Sequence, residues 1–344
     1  MTSVKRLSLA SFVLFSLCRP AQAQTPDAAA APPAGPVVTF GVVSFLEYNA
    51  DLHEQNQINA FEVTRGYFNV KAQLSDRLSA FFTTDVRPTT DASLNTTLGL
   101  HLEYAYLDAK VNDKASILFG MHETPWLTFE ESINRYRVQG TMFSERAGLI
   151  PGPSDLGASV LAKGDMVDVH VGVYNGEGYG RAEEDKYKSL QGRVTVHPFS
   201  DADTGGSVRL SGFYSYGWYA KDRPHNVAIV MGSYENPNVA ATVQYLTAKD
   251  NPFVATTLER RGLSVFGEGR QGLTGWAGVG RVDFFDPDAT TDNDATRRYI
   301  FGGAHWSRVG TGRLGVVVSL EQLFKSVDMT KLDSKLLVQT HIQF

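Results

Sequence analysis

From Val37 to Phe344 the chain repeats one pattern, in which apolar residues alternate with polar or small ones at a period of two. Leu336, Val338, Thr340, Ile342 and Phe344 alternate with Leu337, Gln339, His341 and Gln343. Val167, Val169, Val171 and Val173 alternate with Asp168, His170, Gly172 and Tyr174. Val208, Leu210, Gly212, Tyr214, Tyr216 and Trp218 alternate with Arg209, Ser211, Phe213 and Ser215, and Val239, Ala241, Val243 and Tyr245 with Ala240, Thr242 and Gln244. That period belongs to extended strands, whose successive side chains point to opposite faces. Each stretch has about the 9–11 residues that a tilted strand needs to cross a bilayer. Beyond the N-terminus no apolar run is long enough for a membrane helix. Membrane-spanning strands keep a low mean hydropathy, because lipid-facing and lumen-facing residues alternate.

Such segments number about sixteen, an even count as bacterial barrels require. Their expected spans are 37–49, 60–73, 77–88, 97–111, 115–123, 156–164, 166–176, 188–198, 206–219, 226–235, 238–249, 260–271, 274–285, 296–307, 311–323 and 334–344. After even-numbered segments come short turns such as Ser75-Asp76, Asn112-Asp113, Gly164-Asp165, Asn236-Pro237-Asn238 and Gly310-Thr311-Gly312. After most odd-numbered ones come longer polar loops, among them Asp51–Asn59, Asn175–Tyr187 and Asp286–Thr296. Short turns on one side and long loops on the other mark an outer-membrane barrel, and a soluble sandwich or propeller gives no reason for the asymmetry. In lipid every backbone N–H and C=O must be paired, which demands closure. The expected fold is therefore all-β: a transmembrane antiparallel β-barrel of about sixteen strands.

Three regions follow: a signal peptide over 1–23, a flexible Ala/Pro-rich lead-in over 24–36, and the barrel over 37–344. Lys5 and Arg6, the apolar stretch Leu7 to Leu17, and Ala21-Gln22-Ala23 supply the basic, hydrophobic and cleavage parts of the signal. The single cysteine, Cys18, lies inside it, so no thiol is left in the mature chain for disulfides or metal. Acidic residues outnumber basic ones, 37 to 32, which argues against nucleic-acid binding. The chain would be exported through the periplasm to a Gram-negative outer membrane, with outer-membrane lipids around it.

More than thirty residues separate His122 from Leu156, a length that signals a functional element. This third long extracellular loop is expected to fold inward and form the pore constriction, with Glu130, Glu131, Arg135, Tyr136, Arg137 and Arg146 as the candidate residues. Its charges either set ion selectivity or pair and brace the loop against the wall. Alternation assigns Arg65, Lys71, Asp85, Arg87, Asp168, Arg193, Arg209, Glu268, Arg270, Arg281 and Asp283 to the lumen. Facing lipid, an Arg or Lys would cost about 2–4 kcal/mol at the midplane. On 97–111, Tyr104, Tyr106 and Asp108 face inward only if Glu103 faces out. Tyr214, Tyr216, Trp218, Trp276, Phe284 and Trp306 are candidates for interfacial aromatic girdles. Gly267 to Gly272 matches a dinucleotide fingerprint by letters, but strand pattern follows where a helix should begin. Asp286, Asp288, Asp292 and Asp294 read as a solvated acidic loop. No cofactor and no metal are expected.

Several stretches resemble the phosphate-selective porin O and P family: Arg65-Gly66-Tyr67-Phe68-Asn69-Val70-Lys71, Phe119-Gly120-Met121-His122-Glu123-Thr124-Pro125, Asn175-Gly176-Glu177-Gly178-Tyr179 and Arg281-Val282-Asp283-Phe284-Phe285-Asp286-Pro287. The resemblance implies a sixteen-stranded channel, typically a homotrimer, that passes small anions such as phosphate or other small solutes. Lumen arginines are present, but neighbouring carboxylates accompany them and there is no lysine cluster of the family's kind. The function expected is passive diffusion of small hydrophilic solutes or ions. Rival readings are a barrel enzyme of lipase or protease type, and a plugged structural or adhesive barrel. As the terminal aromatic, Phe344 would serve as the signal read by the barrel-assembly machinery.

Overall fold

The strands that alternation predicts all form and close on themselves. A computed structural model describes residues 35–53, 59–89, 97–183, 186–201 and 205–344. The expected signal peptide and nearly all of the 24–36 lead-in lie outside the described residues. The strands are β1 Val37–Asp51, β2 Asn59–Ser75, β3 Leu78–Pro88, β4 Leu98–Asn112, β5 Ala115–Glu123, β6 Ser154–Lys163, β7 Val167–Tyr174, β8 Ser189–Asp201, β9 Gly206–Ala220, β10 Arg223–Glu235, β11 Val239–Asp250, β12 Leu258–Arg270, β13 Gly275–Asp286, β14 Thr296–Val309, β15 Gly312–Lys325 and β16 Lys331–Gln343. Each pairs antiparallel with its sequence neighbours, and β1 pairs with β16, giving a closed sixteen-stranded barrel. The seam continues one residue beyond β16. Phe344 N–H donates to Val42 O at 3.0 Å, and Val42 N–H donates to Phe344 O at 2.7 Å.

Alternation sorts the two faces. On β11, Val243 and Tyr245 are exposed while Thr242, Gln244 and Leu246 are buried; on β15, Val316, Val318 and Leu320 are exposed while Val317, Ser319 and Glu321 are buried. An apolar exterior over polar inner positions suits lipid outside and water within.

Register shifts interrupt the pairing at seven places, and three of them bear on the spans and faces expected above. Thr64 on β2 is skipped where the register jumps from Phe45↔Arg65 to Leu46↔Val63. Glu103 on β4 is skipped between Thr83↔Tyr104 and Thr84↔Leu102. Tyr219 on β9 is skipped between Arg223↔Ala220 and Pro224↔Trp218. The second corrects the either–or expected for β4. Two residues opposing one re-aim a side chain locally, so Glu103 is buried while Tyr106 on the same strand stacks on Phe81 at 4.7 Å. The third lets β10 begin at Arg223 rather than 226, because Pro224 sits at an irregularity where its missing N–H costs no regular ladder bond. The connection from β9 to β10 is only Lys221–Asp222, an exception to long loops after odd strands; Asp222 takes φ +61° to make the turn.

β5, β6 and β7 are the short strands, at 9, 10 and 8 residues. The β4–β5 register starts at Ala105↔Met121, so Leu98–Tyr104 have no partner on β5. The segment 124–153 leaves the sheet at this step. Thr124 N–H donates to Pro153 O at 2.8 Å at its base. It contains α1 Leu127–Ile133, a 3-10 turn Arg137–Gln139 and α2 Phe143–Arg146. Its Trp126, Leu127, Ile133, Met142, Phe143, Leu149 and Ile150 form one apolar cluster with Phe213 of β9, Val227, Ile229 and Met231 of β10, and Leu246 and Ala248 of β11.

Candidate functional site

The segment 124–153 is tied to inner-face residues of β8 and β11 to β16 as well as to the β9–β11 cluster. At its start, Trp126 Nε1 donates to Glu130 Oε2 at 3.0 Å. Gln244 of β11, with its amide turned to satisfy both neighbours, donates to Glu130 Oε1 at 3.2 Å and accepts from Trp126 Nε1 at 3.1 Å. Burial pushes the Glu130 carboxyl up to about 7, against the opposing pull of Arg281 and the Trp126 hydrogen bond. Arg193 of β8 donates to Pro125 O at 2.8 Å and lies 4.0 Å from the centre of the Phe129 ring.

Midway, Glu268 of β12 gathers three donors. Arg135 bonds its carboxylate through Nε (2.9 Å) and Nη2, Tyr136 OH donates to Oε1 at 2.7 Å, and Arg270 Nη1 donates to Oε2 at 2.9 Å. Trp306 of β14 is 1 % exposed and donates to Tyr136 OH at 3.4 Å. The guanidiniums of Arg135 and Arg313 lie 4.5 and 4.1 Å from its ring. Trp306 is thus an inner-face anchor and not a girdle residue, a correction to the expectation above; Trp276, Tyr214 and Tyr216 do face out, at 65, 51 and 43 % exposure. Gln339 of β16 donates to Val138 O at 2.7 Å, and Arg281 of β13 donates to Thr141 O at 3.1 Å. Arg146 pairs with Glu321 of β15 at 2.9 Å, and Arg298 bonds the same carboxylate.

The remaining loop charges pair among themselves. Arg137 donates to Glu145 at 2.5 and 3.0 Å and lies 3.2 Å from Glu131. Burial opposes its charge, yet the two glutamates hold it above the usual arginine range; burial likewise raises Glu131, which Arg137 counters.

On the wall that faces these charges, Arg65 pairs with Asp85 at 2.5 Å, and Arg87 lies 3.8 Å from the same carboxylate. Tyr179, from the β7–β8 loop, donates to Asp85 at 2.8 Å and accepts from Arg65 (3.1 Å) and Arg87 (3.0 Å). Lys71 is exposed, its ammonium 5.0 Å from the Phe81 ring. Asp168 pairs with His197 at 3.0 Å, Arg209 with Glu235 at 3.2 Å, and Arg281 grips Asp283 through two bonds of 2.9 and 2.7 Å. Asp286 accepts from Arg261 at 2.9 Å, and Asp288 from Thr290 and Thr291.

Open space borders the segment on several sides. A cavity of about 300 Å³ lies where Glu131, Arg135 and Arg137 meet Tyr67, Glu103 and Tyr104. A larger one of about 820 Å³ touches Glu145, Arg87, Tyr179 and Arg181, and a third of about 480 Å³ touches Phe129, Lys163, Asp168, Arg193 and Arg209. Of the candidates named from sequence, Glu131, Arg135 and Arg137 line the first cavity, Arg87 the second, and Asp168, Arg193 and Arg209 the third. Sequence reasoning missed Gln244, Tyr179 and Glu321. A detectable signal was β10, whose inner Val227, Ile229 and Met231 are as apolar as its outer Ala228 and Val230. A strand apolar on both faces beside a water-filled lumen has to be covered by protein.

No family model matches the chain, and no curated protein does. Solved structures do match. Salmonella typhi OmpF, in complex with daunomycin, has a TM-score of 0.62 at 12 % identity, over 90 % of this chain and 98 % of that one. An anion-selective porin from Comamonas acidovorans gives 0.60 at 11 %, over 90 and 99 %. The outer membrane channel DcaP of Acinetobacter baumannii gives 0.58 at 13 %, over 91 and 99 %. The chain therefore has the fold of the outer-membrane porins. At such identities the likeness is one of fold.

Proposed function

We propose that the protein is an outer-membrane porin for passive diffusion of small hydrophilic solutes, with the segment 124–153 folded into the lumen as its constriction. The observation that carries this reading is the one-sided docking of that segment. Its bonds run to inner-face residues of β8 and β11–β16, while its Glu131 and Arg137 border an open cavity against β2–β4. Glu130, Glu131, Arg135, Tyr136, Arg137 and Arg146 then shape the narrowing, and Arg65, Lys71, Asp85, Arg87, Asp168, Arg193, Arg209, Arg270, Arg281 and Asp283 line the wall. No chemical step is required.

Most of these arginines are already held by carboxylates: Arg65 by Asp85, Arg137 by Glu131 and Glu145, Arg135 by Glu268, Arg281 by Asp283. Paired guanidiniums offer a passing anion less than a free ladder would. The phosphate selectivity implied by the O and P resemblance is therefore the finer part of the proposal, tested by reversal potentials in asymmetric salt. Residues 1–23 would be cleaved on export, Phe344 would be read by the assembly machinery, and three copies would associate. Purified full-length barrel in a planar bilayer should give discrete conductance steps. A folded barrel that passes no current would overturn the channel.

A further inference from the structure

Glu103 is the carboxylate that the network leaves over. It is 4 % exposed and is the skipped residue of the β4 bulge. It also lines the cavity of about 300 Å³ beside Tyr67, Tyr104 and Glu131. Among the described residues its carboxylate has no ion pair or hydrogen bond; its main-chain oxygen alone is engaged, accepting from Ser154 Oγ at 2.6 Å. The charges that act on it are Asp85, Arg65, Glu131 and Arg137. Neither arginine is free, since Arg65 is held by Asp85 at 2.5 Å and Arg137 by Glu145 at 2.5 Å and Glu131 at 3.2 Å. Arg135, on the same cavity, is bound to Glu268.

A carboxylate taken this far from water needs a counter-ion or a proton. The bulge is a device for aiming a side chain, and bulges concentrate at functional sites. Here it turns Glu103 inward beside a space wider than a bare metal ion needs. Tyr67 and Tyr104 border that space, and aromatic rings attract ammonium groups more than they attract anions.

We propose that Glu103 and the two tyrosines form a binding step for small organic ammonium groups in the passage. The site would favour amine-bearing solutes over the anions that the family resemblance implies. This rests on the channel reading only for its effect on permeation, because binding itself needs no flow. The ammonium and the proton would compete for one carboxylate.

The test uses full-length folded barrel and methylammonium chloride, read in two ways. Titration calorimetry should show saturable methylammonium binding that weakens about tenfold in Glu103→Gln, the scale expected for removing one ammonium–carboxylate attraction. In bilayers the same variant should lose cation preference in a methylammonium chloride gradient. Equal binding by wild type and a folded Glu103→Gln overturns the inference, even if both conduct. Binding by a barrel that carries no current upholds the inference and sinks the channel reading alone. Should Glu103→Gln fail to fold, Glu103→Asp, which keeps the charge but withdraws it by one methylene, must weaken methylammonium binding; unchanged binding in that variant overturns the inference.

Discussion

At the scale of single residues, Glu268 and Glu130 hold the loop in opposite ways. Glu268 is an anion with three donors, so replacing it by alanine leaves the half-buried Arg135 and the buried Arg270 without that partner. Removing one member of a buried ion pair costs about 3–5 kcal/mol. We expect Glu268→Ala to lower the denaturant midpoint and to open the segment 124–153 to protease before the barrel unfolds. Glu130 is a carboxyl whose burial favours the neutral form, raised from 4.5 to about 7. A raised acid stabilises the folded form fully below its unfolded value, and that contribution is lost as pH rises through the folded one. Docking should therefore weaken from pH 4.5 to about 7 and level off above. Glu130→Gln should flatten the dependence, as read from proteolysis rates across pH. Alternation placed Glu268 on the inner face, but could not show that it was the loop's acceptor. Trp306 was misplaced for a related reason: an aromatic near a strand end fits a girdle by position alone, and only its contact with Tyr136 shows which face it is on.

At the scale of elements, the strands were legible nearly to their ends because lipid on one face and water on the other impose a strict period of two. The bulges at Thr64, Glu103 and Tyr219 were not, since one extra residue shifts the phase without altering composition. The loop's resting place was half legible. Its length marked it, whereas the doubly apolar β10, the signal of where it packs, went unread. Ile229, 1 % exposed, packs in the cluster that joins the two. Ile229→Ala should cost about 2–5 kcal/mol, seen as a lower melting temperature of the docked loop. Ile229→Glu should displace the loop and raise conductance; a docked loop in that variant would mean the apolar contact is dispensable.

For the whole molecule, closure is the organising fact. Val42 and Phe344 exchange two backbone bonds at the seam, yet the Phe344 side chain is 67 % exposed. Phe344→Ala keeps the backbone pair and removes only the ring. We therefore expect stability once folded to change little and the folded fraction recovered from the outer membrane to drop; equal recovery would leave the ring no part in assembly. On the proposed reading the segment 124–153 narrows the passage, and conductance tests that directly. Single-channel recordings should compare the wild-type barrel with one in which residues 126–150 are replaced by a short Gly-Ser linker, folding being verified by heat-modifiable migration. A constriction removed must give a several-fold larger conductance and admit larger polymers. An unchanged conductance in the folded variant would contradict a constricting loop.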